Sequence, residues 1–265
     1  MKTFIITLFM LCSAVAAQAQ FDDKFYHPVK EWMPCQMPQF EDVYFYPEQD
    51  TLHAVFCKPE GPPVATILYL HGNYGNISFN ASRLDTLVKA GFQVFIPDFR
   101  GYGRSSGTPT HQNIASDGQM IFDYLKKRPD VASTKLIVYG ASIGTQLASK
   151  LAKDNQNAVQ ALILEGGMSS FTDMALRFIP EEQREYAKPY LIFPYSSEAD
   201  IQAIGQMSKL IIHSSDDQIV PFEQGKTVYN AAKEPKKFLE CKGQHLEALI
   251  TEPGIVINNI KVLLH

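Results

Sequence analysis

Three side chains in this 265-residue sequence have the types and order needed for acyl transfer: Ser142, an acid in the stretch Ser214-Ser215-Asp216-Asp217, and His245. A serine hydroxyl is a poor nucleophile until an adjacent base takes its proton, and that base works best when a carboxylate orients it. Ser142 stands in Gly140-Ala141-Ser142-Ile143-Gly144, between the apolar run Leu136–Tyr139 and a stretch in which Leu147, Ala148, Leu151 and Ala152 recur at helical spacing. A strand-turn-helix with glycine on both sides lifts a serine to a strained apex and aims the helix N-terminus at developing negative charge. Asp216 and Asp217 follow the strand-like Lys209-Leu210-Ile211-Ile212-His213, and His245 follows the strand-like Lys237–Glu240. Carboxyl ends of parallel strands share one rim, so the three can meet there.

An oxyanion needs donors of its own. The segment Ile67-Leu68-Tyr69-Leu70-His71-Gly72-Asn73-Tyr74 ends a buried strand and enters a Gly- and Asn-rich turn. The turn can present the Asn73 N–H, and Ile143, directly after the serine, supplies a second N–H. His71 is expected to brace this loop. Together these residues suit nucleophilic attack on an ester, thioester or amide carbonyl, and they call for no metal or organic cofactor.

The elements that must position these groups are legible in outline. Segments 41–47 and 51–58 read as a hairpin, and strand-length apolar runs then start at Ala65, Phe92, Lys135, Ala161, Lys209 and Lys237. Helical patterns near 80–90, 110–128, 143–154, 222–232 and 253–264 separate them. This alternation predicts an α/β fold with a mostly parallel eight-stranded sheet, an antiparallel start and helices on both faces. Residues 166–208 form the one long connection, rich in Phe, Tyr, Leu and Ile. It reads as an amphipathic helix followed by a Pro-punctuated loop, or as a small cap over the ligand site, and the two are compatible.

At the N-terminus, Lys2 precedes an apolar run from Phe4 to Ala17 and the small-x-small sequence Ala17-Gln18-Ala19. This pattern predicts a signal peptide over 1–19, cleaved after Ala19, and therefore an exported protein, periplasmic or extracellular. The run is too short for a comfortable span of about 20 apolar residues, which argues against a stable membrane anchor. The remaining 246 residues suit a single domain, 20–265. The formal charge of −4 becomes −5 once Lys2 is removed, so nothing points to nucleic acid. The expected partner is a small ester or acyl substrate. Asn76 and Asn80 head formal glycosylation sequons, but both fall in the active-site loop and are read as chance matches.

"HGNYGN", "IPDFRGYGRSSGTPT", "GASIG", "DDQIVP" and "GQH", in that order, resemble the α/β-hydrolase superfamily. Within it they are similar to serine-aminopeptidase-like proteins and α/β-hydrolase-domain thioesterases. The resemblance covers residues 41–265 and implies the α/β-hydrolase fold with a small or minimal cap. It implies Ser142 as nucleophile, His245 as base and, because the family pattern is Asp-x-x-Val-Pro, Asp217 rather than Asp216 as acid. Glu165, after the strand Leu162–Leu164, is a third acid candidate because some relatives place the acid there, but it reads better as a rim carboxylate or a polar substrate contact. Tyr74, where a small residue is common, could narrow the pocket. "DFRGYGRSSG" reads as structural, with Asp98 and Arg100 bracing the loop. In this fold Cys35 and Cys57 fall on one side, which permits a disulfide between them and leaves Cys241 free. A carboxylic-ester or thioester hydrolase of an apolar acyl group follows as the expected function, with a peptidase or amidase, or an inert binding protein of the same fold, as alternatives.

Overall fold

The structure, a computed structural model, describes residues 22–265; the segment expected to be a signal peptide lies outside them. Eight strands form one sheet: β1 (Phe40–Phe45), β2 (Leu52–Cys57), β3 (Thr66–Leu70), β4 (Gln93–Pro97), β5 (Leu136–Ala141), β6 (Ala161–Glu165), β7 (Ser208–Ser214) and β8 (Lys236–Cys241). Their spatial order is β8-β7-β6-β5-β3-β4-β2-β1. β2 is antiparallel to both β1 and β4, and all other pairings are parallel, as the sequence pattern predicts.

The central strands are apolar on both faces because both faces are covered. Leu68, Leu70, Val138, Leu162 and Leu164 belong to one core, and Ile67, Tyr69, Ile137, Tyr139 and Ile163 to the other. The first core lies under α2 (His111–Leu125) and α3 (Gly144–Asp154), which bury Ile121, Phe122, Leu147 and Leu151. The second lies under α1 (Ala81–Lys89) and α7 (Pro253–Val262), through Leu84, Leu87, Val256 and Ile260.

The chain leaves β3 toward β4 on one side and then returns past β3 to lay down β5 on the other. Loops after β3 and β5 therefore diverge, and the crevice between them is where open α/β sheets bind ligands. It is formed by the two segments read above as oxyanion loop and nucleophile turn.

The long connection holds three short helices, α4 (Phe171–Leu176), α5 (Glu181–Ala187) and α6 (Ser197–Gln202). Ser170 and Ser196 cap α4 and α6 by accepting from the N–H groups of Asp173 and Ala199. Phe171, Ala175, Leu191 and Tyr195 anchor the segment in the first core, whereas α5 buries nothing and leaves Tyr186 and nearby Phe178 exposed. The segment is a compact helical insertion, more than the single helix and loop of the simpler expectation.

The disulfide that the sequence permits is absent. Cys57 is fully buried in β2 while Cys35 is exposed on the preceding segment, and Cys35, Cys57 and Cys241 are all free thiols.

Candidate active site

β5 runs directly into the turn that carries Ser142, whose φ of +52° is left-handed and rare for a residue with a side chain. Both flanking glycines are required for close approach. A Cβ on Gly140 would strike Thr145 Cα and Gly144 O at 2.6 and 2.7 Å, and one on Gly144 would overlap the Leu70 carbonyl of β3. The turn is fixed to β6 by the Ser142 N–H, which donates to the Glu165 carbonyl at 2.9 Å.

Three side chains from three loops converge. Ser142 Oγ lies 2.9 Å from His245 Nε2, and His245 Nδ1 lies 2.6 Å from Asp217 Oδ2. The other carboxylate oxygen of Asp217 accepts from the N–H groups of Ile219 and Val220 at 2.8 and 2.9 Å. Burial alone would push this carboxyl up, but the hydrogen bond and charge of His245, with the two amides, outweigh it and hold Asp217 below the usual carboxylate range. Asp216 is exposed and turns instead toward Lys242, 3.8 Å away, and the Gly243 N–H.

Beside Asp217, the fully buried His213 donates its Nε2–H to the Val220 carbonyl at 3.0 Å. Its Nδ1 fits against Gly225, where a Cβ would overlap the ring.

Asn73 sits beside the turn that carries Ser142: a Cβ on the preceding Gly72 would lie 3.5 Å from the Ser142 Cβ. No acceptor among the described residues takes the N–H of Asn73 or Ile143. His71 is fully buried and donates from Nδ1 to the Gly72 carbonyl at 2.7 Å, so it braces the loop without facing the crevice. Burial pushes its pKa down despite the nearby Asp98 carboxylate. Asp98 accepts from the Ile77 N–H at 2.8 Å and fits under Gly103, where any side chain would collide with it. The two sequon amides are also consumed internally, Asn76 donating to the Val29 and Glu31 carbonyls and Asn80 to the Asn76 carbonyl.

The chain as a whole is similar to known proteins. The family described as serine aminopeptidase, S33, matches residues 61–191. The α/β-hydrolase domain-containing protein WAV2 of Arabidopsis thaliana is 30% identical over an alignment covering 95% of this chain and 91% of that protein. The chain belongs to the α/β-hydrolase superfamily. Lysophosphatidylserine lipase ABHD12 of Gallus gallus is 29% identical over 67% of this chain and 50% of its own length. Among solved structures, the Pyrococcus furiosus esterase Pf2001 superposes with a TM-score of 0.70 at 17% identity, covering 90% of this chain and 98% of that one, a likeness of fold.

Two sequence expectations for this α/β-hydrolase need revision or refinement. Glu165 is not at the rim. Its side chain is 2% exposed and accepts from the Tyr139 hydroxyl at 2.5 Å, and burial pushes its carboxyl up. It is the last residue of β6 rather than the first after it, and the alternation of side chains turns it onto the Tyr69 and Tyr139 side of the sheet, away from solvent. Tyr74 is 64% exposed, with its ring edge-on to Phe79.

The sequence reading also missed Arg83, which donates twice to the carbonyl of Leu246, next to His245. An arginine on a helix carries no motif; only the fold brings α1 and the histidine loop together.

Proposed function

We propose that this α/β-hydrolase cleaves carboxylic esters or thioesters of apolar acyl groups through a Ser142–His245–Asp217 triad and an acyl-enzyme. The hydrogen-bonded chain from Ser142 Oγ through both nitrogens of His245 to Asp217 carries the reading. His245 Nε2 takes the Ser142 proton as Oγ attacks the substrate carbonyl. Asp217 holds the tautomer with hydrogen on Nδ1 and stabilises the imidazolium that forms. The N–H groups of Ile143 and Asn73 receive the oxyanion, where one donor contributes roughly 3–4 kcal/mol. His245 returns the proton to the leaving oxygen or sulfur. Water then attacks the acyl-enzyme, giving up its proton to His245, and the acid departs as Oγ is reprotonated.

The apolar, aromatic insertion at 166–208 serves in this reading as a small cap that lines an acyl site, with Tyr74 at its margin. A relative named as a lysophosphatidylserine lipase and an esterase of like fold support an ester substrate over a peptide. In this reading the pattern from Lys2 to Ala19 acts as a signal peptide, and the exported chain begins at Gln20.

The peptidase reading draws on the serine-aminopeptidase family match. A peptide amine needs an accessible carboxylate, and Glu165, the one nominated from sequence, is 2% exposed. Free amines that inhibit turnover in the wild type and not in Glu165→Gln would favour it.

The deciding experiment is hydrolysis of p-nitrophenyl esters of increasing acyl length by wild type and Ser142→Ala. Turnover that vanishes in the variant, with its folded state kept, is the expected result. Turnover retained in Ser142→Ala would overturn the mechanism. Absence of both turnover and phosphonate labelling at Ser142 in the wild type would leave a binding protein of this fold.

A further inference from the structure

Two successive peptide groups meet at Asn73, and the carbonyl of each is held by a donor. The first peptide consists of the Gly72 carbonyl and the Asn73 N–H, which point in opposite directions because a trans peptide is planar. His71 Nδ1–H holds that carbonyl at 2.7 Å and so turns the N–H the other way. The second peptide carries the Asn73 carbonyl, and two donors meet it: the Tyr102 hydroxyl at 2.7 Å and the main-chain N–H of His27 at 2.9 Å. The same His27 N–H also reaches the Tyr102 oxygen at 3.1 Å, which links the two donors.

His27 belongs to a strap that precedes the sheet and crosses the oxyanion loop. His27 and Pro28 pair in parallel with Tyr74 and Gly75. Val29 donates to Gly75 O at 3.2 Å, Met33 donates to Ser78 Oγ at 2.9 Å, and Asn76 returns two bonds to the strap carbonyls of Val29 and Glu31. Upstream, Phe25 is buried edge-to-face on Phe171 and Phe193 of the insertion. Tyr102 is fully buried, its ring 5.0 Å from His71 and 5.9 Å from Phe99, and burial pushes its hydroxyl pKa up, so it stays a neutral donor.

We infer that Tyr102, acting with the His27 N–H of the N-terminal strap, is a positioning residue for the oxyanion site: it fixes the Asn73 carbonyl and thereby the adjoining Asn73 N–H. The inference rests on the reading of Asn73 as an oxyanion donor. It also gives the tyrosine of Gly101-Tyr102-Gly103 a part in the reaction beyond the structural one its motif suggests. A donor that contributes only in the transition state changes kcat, while loss of ground-state binding changes KM.

The test is Tyr102→Phe, which keeps the ring between His71 and Phe99 and removes one hydroxyl. Two measurements are made beside wild type and Ser142→Ala: p-nitrophenyl ester kinetics, and amide hydrogen exchange over residues 72–78. The expected result is a kcat lowered roughly 10- to 100-fold, an unchanged KM, a preserved melting temperature and faster exchange confined to this loop. An unchanged kcat, or a loss shared with KM and melting temperature, would overturn the positioning role. So would unchanged loop exchange, which reads the clamp without reference to activity. Failure of the underlying esterase reading shows separately, as turnover that survives in Ser142→Ala.

Discussion

Arg83 holds the carbonyl of Leu246 with two donors, Nε at 3.0 Å and Nη2 at 2.6 Å. Leu246 follows His245 and has a φ of +62°, a left-handed conformation that costs about 1–2 kcal/mol for a residue with a Cβ. On the other side the imidazole rests against bare Gly166, where a Cβ would come within 3.0 Å of His245 Cε1. His245, the base in the proposed mechanism, is thus presented by a strained turn held from α1. Arg83→Met removes the holding donors while keeping much of the side-chain stem. Ester turnover should fall about tenfold with a small loss of stability. A wild-type kcat in this variant would mean that the turn keeps itself in place.

Arg100 is the brace of the neighbouring loop. Its guanidinium forms a bidentate pair with Asp117, at 2.8 and 3.0 Å, and a further bond to Asp50 at 2.7 Å. The Arg100 and Asp117 side chains are 7% and 8% exposed. Removing one partner of a buried pair strands the other charge, at a cost of about 3–5 kcal/mol. Arg100→Met should lower the unfolding free energy by that amount in urea titrations, far more than loss of an exposed pair such as Lys89–Asp85. A change below about 1 kcal/mol would show that Asp117 finds another partner or water.

Acid should destabilise this fold well above the carboxylate range. His111 is packed among Phe25, Phe171 and Phe193, with the Tyr26 hydroxyl on Nδ1 and Asp22 Oδ1 3.2 Å from Nε2. Burial pushes its pKa down to about 3. The unfolded chain takes up this proton near pH 6.5 and the folded chain does not, so stability falls as pH drops below 6.5, by up to about 1.4 kcal/mol per pH unit. His71 and His213, also lowered by burial, add to the same limb. His111→Phe loses the acceptor for Tyr26, yet its stability deficit against wild type should shrink between pH 7 and pH 5. A constant deficit across that range would place the proton elsewhere.

The sheet and the sharp turn that carries Ser142 were legible because their signals are local. Runs such as Leu136–Tyr139 are apolar on both faces, and a serine between Gly140 and Gly144 marks a turn that other residues cannot make. Burial direction at strand ends was less legible. Glu165 falls within β6 rather than after it, and whether its carboxylate meets solvent or Tyr139 depends on the face it takes and on what covers that face. Residues 166–208 gave composition without period, because three short helices anchored by Phe171, Leu191 and Tyr195 leave no repeat long enough to read. Arg83 and Tyr102 act through main-chain carbonyls, which carry no sequence identity at all.

Two adjacent aspartates offer the sharpest test of the acid. Asp217 is 8% exposed, bonded to His245 Nδ1 and fixed by the amides of Ile219 and Val220. The Asp216 side chain is 54% exposed and accepts from the Gly243 N–H at 3.3 Å. Asn at 217 can donate its amide hydrogen to Nδ1, which favours the tautomer with hydrogen on Nε2, unable to accept the Ser142 proton. Asp217→Asn should therefore lower kcat by about 10³- to 10⁴-fold with the fold intact. Asp217 is also held below its ordinary pKa, so its stabilising share is present at neutral pH and lost as pH falls through the lowered value. The stability gap between wild type and Asp217→Asn should accordingly close in strong acid. Asp216→Asn should leave kcat nearly unchanged. Comparable losses in the two variants would mean that the loop as a whole, rather than one carboxylate, holds the base.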